Sequence, residues 1–197
     1  MAPSRAHDPD PVTGLPDDAP FDFRPLSRAD FPLLAQWFGA AHVEPWWQEP
    51  WGLDDLEDRY GPGVDGTDPT EARIVTFGGR PIGLVIRYRI ADNDDWRTTL
   101  APTGALLDGF GIDYLTGDPD CIGKGVGTRM MTSFIANGWA SYPDCPACVV
   151  GVHEHSRRSW RALERAGFAR VWSGALVSED PSDAGPQVVY VVHRPSD

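Results

Sequence analysis

Residues 122–128 read Ile-Gly-Lys-Gly-Val-Gly-Thr, and a helix-like run from Arg129 to Ile135 follows at once. Glycines at 123, 125 and 127 let backbone N–H groups converge on one point with no side chain in the way. A helix N-terminus just behind adds its own free N–H groups and the positive end of its dipole. The combination is an anion seat suited to a phosphate or pyrophosphate. It is not a Walker loop, because Gly-Lys-Gly-Val-Gly lacks the four-residue gap before Gly-Lys-Ser/Thr. It is not a Rossmann fingerprint either, because it lies past the chain midpoint instead of after the first strand.

A second constellation is Cys145-Pro-Ala-Cys148 followed by His153 and His155. Strand alternation through Val149-Val150 would send both histidines to one face and bring only one cysteine side within reach. No zinc site is expected from that spacing. Redox use is not expected either, since a Cys-x-x-Cys redox pair should open a helix.

The elements that position the glycine loop follow from periodicity and punctuation. Phe21 to Leu26 alternates as a first strand, and Ser27 or Asp30 caps a helix over Phe31 to Phe38. Leu53 to Tyr60 reads as a second short helix and residues 61–70 as a loop. Glu71 to Phe77 and Pro81 to Ile90 are strands around a Gly78-Gly79 hairpin turn. Residues 91–104 read as a polar loop around Trp96. Ala105 to Leu115 reads as a strand, its glycines at 109 and 111 hinting at a bulge. A helix then runs to about Trp139, Ala147 to Val152 is a strand, and Ser156 to Ala166 is a helix stopped by Gly167. Phe168 to Val177 and Val188 to His193 are terminal strands. The pattern is a mixed α/β (α+β) layer architecture. It forms one domain over residues 21–197 behind a flexible tail at 1–20.

The chain has 197 residues and a net charge of −12, from 29 acids against 17 bases. That balance argues against nucleic acid, whose phosphates need Lys and Arg. It either steers a cationic ligand into an acidic cleft or only keeps the protein soluble. Three cysteines are too few for a secreted disulfide scaffold and imply a reducing compartment. With no signal peptide and no run of about 18 apolar residues, the expectation is a cytoplasmic protein without a membrane span.

The ordered set of motifs resembles the GNAT superfamily of acetyl-CoA-dependent N-acyltransferases, and within it the aminoglycoside 6′-N-acetyltransferases. The likeness spans about residues 21–194. It is carried by His42-Val43-Glu44 with Trp46-Trp47, Gly79-Arg80-Pro81-Ile82-Gly83, Asp95-Trp96 and Gly111-Ile112-Asp113. Further on come the loop at 122–128, Glu164-Arg165-Ala166-Gly167-Phe168, and Gly185-Pro186 before Tyr190. The resemblance implies the GNAT fold: a central, mostly antiparallel mixed sheet of six to seven strands flanked by about four helices.

By the same resemblance, the backbone N–H groups of Gly123, Lys124, Gly125, Val126, Gly127 and Thr128 bind the coenzyme A pyrophosphate, and Ile122 joins the cofactor set. The pantetheine arm lies between the strands at 105–115 and 147–152, along Tyr114 and Leu115. A backbone N–H near Tyr114 polarises the thioester carbonyl. Ser156 and Arg158 join the cofactor set, with Arg157, Arg158 and Arg161 facing either the 3′-phosphate or solvent. Asp113 touches the acceptor amine and serves as general base. An ordinary Asp, with a pKa of about 3.9, needs burial or a relaying water for that task. Glu44, Trp46, Trp47, Asp95, Trp96, Asp113 and Asp183, with Asp180 beside it, form the acceptor side, where polyamine sugars want fixed negative charge and flat faces.

Three positions depart from the superfamily. Ile122 stands where Gln or Arg often opens the loop. Ser156 replaces the usual Asn. Leu163 stands where many members place a Tyr that protonates the departing thiolate. The resemblance therefore implies acetyl transfer to a cationic small-molecule amine, the 6′-amine of aminoglycosides, by direct attack in a ternary complex. The alternatives are another amine (a hydroxylysine-type siderophore precursor, a polyamine or a protein amine) or a non-catalytic acyl-CoA sensor.

Overall fold

The computed structural model describes residues 19–196. The tail expected over residues 1–20 lies outside the described residues except for its last two. Those two are anchored: Ala19 is buried, and the Pro20 carbonyl accepts from the Gly78 N–H at 3.1 Å.

The first strand, β1 (Phe21–Pro25), leads to α1 (Phe31–Phe38). At the junction the Asp30 carboxylate accepts from the Ser27 backbone N–H and hydroxyl at 3.0 and 2.8 Å, and pairs with Arg24. Two more helices follow, α2 (Glu44–Trp47) and α3 (Leu53–Val64). The hairpin β2 (Glu71–Phe77) and β3 (Arg80–Arg89) turns at Gly78 and Gly79, both at positive φ. Then come α4 (Asp94–Leu100), β4 (Phe110–Thr116), α5 (Val126–Ser141), β5 (Ala147–His153), α6 (Arg157–Arg165), β6 (Ala169–Leu176) and β7 (Gly185–His193).

All seven strands join one sheet in the order β1-β2-β3-β4-β5-β7-β6. Every pairing is antiparallel except β4 with β5, which is parallel and brief: Phe110 opposite Cys148 and Gly111 opposite Val149. Beyond those two pairs the strands diverge, although β4 runs on to Thr116 and β5 to His153. The divergence opens a slit through the middle of the sheet.

Each sheet face carries its own core. Leu34, Trp37, Phe38, Ile86, Trp96 and Leu115 pack together on the side of α1, α3 and α4. Phe110, Ile112, Met130, Met131, Phe134 and Leu163 pack on the side of α5 and α6. Strand period two therefore sends Phe110, Ile112 and Tyr114 toward α5 and α6, and Gly111, Asp113 and Leu115 toward α1 and α3.

The described residues hold six α-helices where the sequence suggested about four, α2 and α4 being the additions. Residues 91–104 are not a loop. The Asn93 side chain accepts from the Trp96 N–H at 3.0 Å, which caps α4, and Asp94 and Asp95 sit favourably in its first turn. The polar residues that suggested a loop are a helix start. α3 likewise outlasts Tyr60 and carries Pro62 in its last turn. β4 begins at Phe110, later than Ala105, and pairs with β3 without a bulge. Glycine stands at 111 because a Cβ there would lie 2.4 Å from the ring of Tyr88, its cross-strand partner. No helix among the described residues is long and apolar enough to cross a membrane.

Candidate active site

The slit between β4 and β5 opens into a pocket. Ile112, Asp113 and Tyr114 line it from β4, and Val150, Gly151, Val152 and His153 from β5. Asp113 and Tyr114 belong to opposite sheet faces yet share this pocket, so the opening passes through the sheet. On the α1 and α3 side it is closed by Trp46, Trp47 and Glu49, by Arg59 of α3, and by Asp180, Ser182 and Asp183 of the β6–β7 loop.

The pocket is electrically lopsided, with four carboxylates (Glu49, Asp113, Asp180 and Asp183) facing one guanidinium. Arg59 Nη2 donates to Glu49 Oε1 at 3.1 Å and to Asp180 Oδ2 at 3.2 Å. Glu49 Oε2 also accepts from the Tyr60 hydroxyl at 3.2 Å. Asp113 keeps a window on the pocket but is surrounded by protein. Burial pushes its carboxyl up to about 7, with Glu49 adding to the rise and Arg59 opposing it. Asp183 is pushed up to about 8, first by burial and then by the charge of Asp113. Two carboxyl groups this close titrate as a coupled pair. Ionising both is costly until a cation arrives.

Beside the slit, Gly123 and Gly125 adopt φ of +78° and +76°, and a Cβ on either would meet only open space. Gly125 is the N-cap of α5, so the amides of Val126, Gly127 and Thr128 have no intrahelical acceptor. Lys124 Nζ is buried without a hydrogen-bond partner. The turn before the loop is pinned by Asp118, whose side chain accepts from the Asp120 N–H at 3.0 Å and pairs with Arg80. Ile122 differs from the loop residues that follow it: its N–H is already bonded to the Pro119 carbonyl.

Residues 27–175 match the family model described as the acetyltransferase (GNAT) domain. The chain belongs to the GNAT acetyltransferase family. This GNAT chain is 26% identical over 175 residues to an aminoglycoside N(6′)-acetyltransferase type 1 of Klebsiella pneumoniae, across 87% of this chain and 82% of the relative. The enzyme of that name from Serratia marcescens matches equally. Among solved structures, AAC(6′)-Ib in complex with coenzyme A superposes with a TM-score of 0.73 at 25% identity, over 89% of this chain and 95% of that one. Its complex with coenzyme A and kanamycin gives the same figures. A spermidine N-acetyltransferase chimera from Vibrio cholerae shares the fold, with a TM-score of 0.66 at 14% identity over 88% of this chain and 95% of that one.

The GNAT frame brings together only part of the residue set expected from sequence. Asp113, Trp46, Trp47, Asp183, Tyr114 and Ser156 all line the pocket. Trp46 lies 5.8 Å from the His153 ring, and Trp47 stacks on Phe38 at 5.4 Å. Tyr114 donates its hydroxyl to the Ser159 carbonyl at 3.2 Å, and the Ser156 hydroxyl bonds that of Ser159 at 3.0 Å.

Other expected residues fall elsewhere. Asp95 points to solvent from the first turn of α4. Trp96 is core, packed so closely over Gly151 that a Cβ there would lie 3.0 Å from its ring. Glu44 is exposed and lines a shallow groove with Gln48 and Trp51. The Leu115 side chain is core, which leaves only its backbone to face a ligand. Leu163 is fully buried. Arg157, Arg158 and Arg161 are exposed along α6. Cys145 and Cys148 are buried thiols at the start of β5, with His153 and His155 at its far end. Sequence reasoning missed Glu49 and Arg59. Their only local signal was membership of an acidic, Trp-rich segment.

Proposed function

We propose that residues 21–197 act as one acetyl-CoA-dependent N-acetyltransferase domain whose acceptor is a primary amine of a polycationic small molecule, the 6′-amine of an aminoglycoside. The observation that carries this reading is the cluster of four carboxylates around a slit that pierces the sheet beside the glycine turn. The relatives named for aminoglycoside acetylation, and the neighbours holding coenzyme A with kanamycin or ribostamycin, support the same assignment.

The residues fit the cofactor. The free amides of Val126, Gly127 and Thr128 suit a pyrophosphate, with the backbone at Lys124 beside them, and the glycines at 123 and 125 leave the approach bare. In this reading the backbone of Tyr114 and Leu115 faces the pantetheine arm where β4 leaves β5, and Ser156 and Arg158 border it from α6. When bound, acetyl-CoA supplies an activated acyl group for attack by an amine.

The chain supplies orientation and a proton acceptor. The carboxylates draw an ammonium into the pocket. Asp113, on the acceptor face of β4, takes its proton, so that the neutral nitrogen can attack through the slit. Burial has moved this carboxyl to about 7, which suits a base working near neutrality. Leu163 offers no proton from α6 and the Tyr114 hydroxyl is committed to the Ser159 carbonyl, so the thiolate released as the C–S bond breaks would leave as the anion and take its proton from solvent. Three free thiols and a coenzyme A ester both suit the cytoplasm, where we place the enzyme.

The test is free-thiol release from acetyl-CoA with kanamycin or ribostamycin, against hydroxylysine and spermidine as competing acceptors. Release driven by the aminoglycosides supports the proposal. Release driven only by the other amines, or tight acetyl-CoA binding with no amine-dependent release, overturns it.

A further inference from the structure

Arg59 is a cation standing inside a pocket otherwise built to attract cations. It rises from α3, and one nitrogen, Nη2, bonds both Glu49 before α3 and Asp180 in the β6–β7 loop. The other two carboxylates, Asp113 and Asp183, accept no arginine hydrogen bond among the described residues, and Arg59 favours their charge only through space. The pocket thus divides into two anionic positions. One, at Asp113 and Asp183, is open. The other, at Glu49 and Asp180, is filled by the protein itself.

The filling is exchangeable. The Arg59 side chain is 55% exposed, whereas Glu49 and Asp180 are only 13% and 25% exposed, so the guanidinium can swing into solvent while the enclosed carboxylates it leaves still need a cation. The loops it spans are also joined without it: the Ser182 hydroxyl donates to the Trp47 carbonyl at 2.5 Å, and Gln187 Nε2 donates to the Ser182 carbonyl at 3.0 Å. The pocket wall therefore does not depend on Arg59 staying in place. What Arg59 changes is the charge an incoming ligand meets.

We propose that Arg59 is a specificity-determining residue: a built-in counter-cation that holds the Glu49–Asp180 position until a second ammonium group of the acceptor displaces it. This deepens the reading of the chain as an amine acetyltransferase and rests on it. Acceptors with two or more well-spaced amines displace the guanidinium and use both positions. A monoamine reaches only the Asp113–Asp183 position and gains nothing from the second. Removing the guanidinium leaves a ready second position, so the gain grows with the number of charges on the ligand.

Calorimetric affinities for glucosamine, spermidine and kanamycin, measured without cofactor on wild type, Arg59→Gln and Arg59→Lys, test this. Arg59→Gln is expected to tighten kanamycin by about tenfold, since the enclosed Glu49 and Asp180 are then left for a ligand cation, and glucosamine by no more than about twofold. Arg59→Lys is expected to keep the wild-type order. Thermal melting of each variant confirms that it is folded. Equal change for all three ligands, no change, or weaker kanamycin binding in folded Arg59→Gln overturns the inference, because a residue that only ties loops together gives those results. Amine binding is read apart from turnover. An enzyme that binds in this order but releases no thiol refutes the proposed function and leaves the role of Arg59 standing.

Discussion

Asp113 shows how one side chain acquires a catalytic property from its surroundings. An aspartate at its ordinary value, about 3.9, holds protons too weakly to take one from an amine. Burial at the slit and the charge of Glu49 bring this one to about 7. Below that pH it carries the proton it must accept, so kcat/KM should rise as pH increases through about 7 and then level. A flat profile across that range would remove Asp113 from its role. Asp113→Asn should cost at least about a hundredfold in kcat, with acetyl-CoA binding retained. Asp183 bears the other side of the arrangement. Its pKa is raised to about 8, so the fold keeps a proton that the unfolded chain loses near 4. Its stabilising protonation is complete below about 4 and is lost as pH rises through about 8. Asp183→Asn should therefore melt at a higher temperature than wild type at pH above 8, and at the same temperature near pH 4. A lower melting temperature at alkaline pH would show that Asp183 stabilises the fold as an anion. The segment Gly111-Ile112-Asp113 was recognisable because its motif sits on one strand. Glu49 and Arg59 were not, because they reach Asp113 only through the meeting of three separate segments.

At the scale of elements, the α5 entrance and the β4–β5 divergence do the positioning. Gly125 caps α5 at a φ of +76°, a conformation that costs an L-residue with a Cβ about 1–2 kcal/mol. Gly125→Val should weaken coenzyme A binding at least about tenfold, from that strain and from a side chain placed over the free amides. Amine affinity should stay unchanged, because the acceptor carboxylates lie on other elements. Equal coenzyme A affinity in a folded Gly125→Val protein would move the anion seat elsewhere. This loop was legible because a positive φ is a local demand that only glycine meets cheaply. α4 was hidden for a related reason: Asn93, Asp94 and Asp95 suit a helix start as well as they suit a loop. Only the burial of Trp96 against Gly151, a contact between distant segments, separates the two. The same contact explains why Asp95 and Trp96 miss the pocket. Once α4 forms, its capped turn faces solvent and its tryptophan faces the core.

For the whole molecule, the net charge of −12 and the four pocket carboxylates act at different ranges. Distributed surface charge attracts a polycation from beyond contact and is screened by salt, while groups enclosed in the pocket are screened far less. Raising ionic strength from about 0.01 M to about 1 M shortens the Debye length from roughly 30 Å to roughly 3 Å. Long-range attraction should vanish and short-range pairing should survive. With saturating acetyl-CoA, kcat/KM for kanamycin should fall by about tenfold or more over that range while kcat changes little, since kcat is set after the acceptor has entered. Acetyl-CoA carries the opposite charge and approaches the same acidic molecule, so its association should not slow with added salt. A common salt effect on both substrates would mean that salt alters the fold or the chemistry. Opposite trends would mean that the acidic surface sorts the two substrates before either touches the slit.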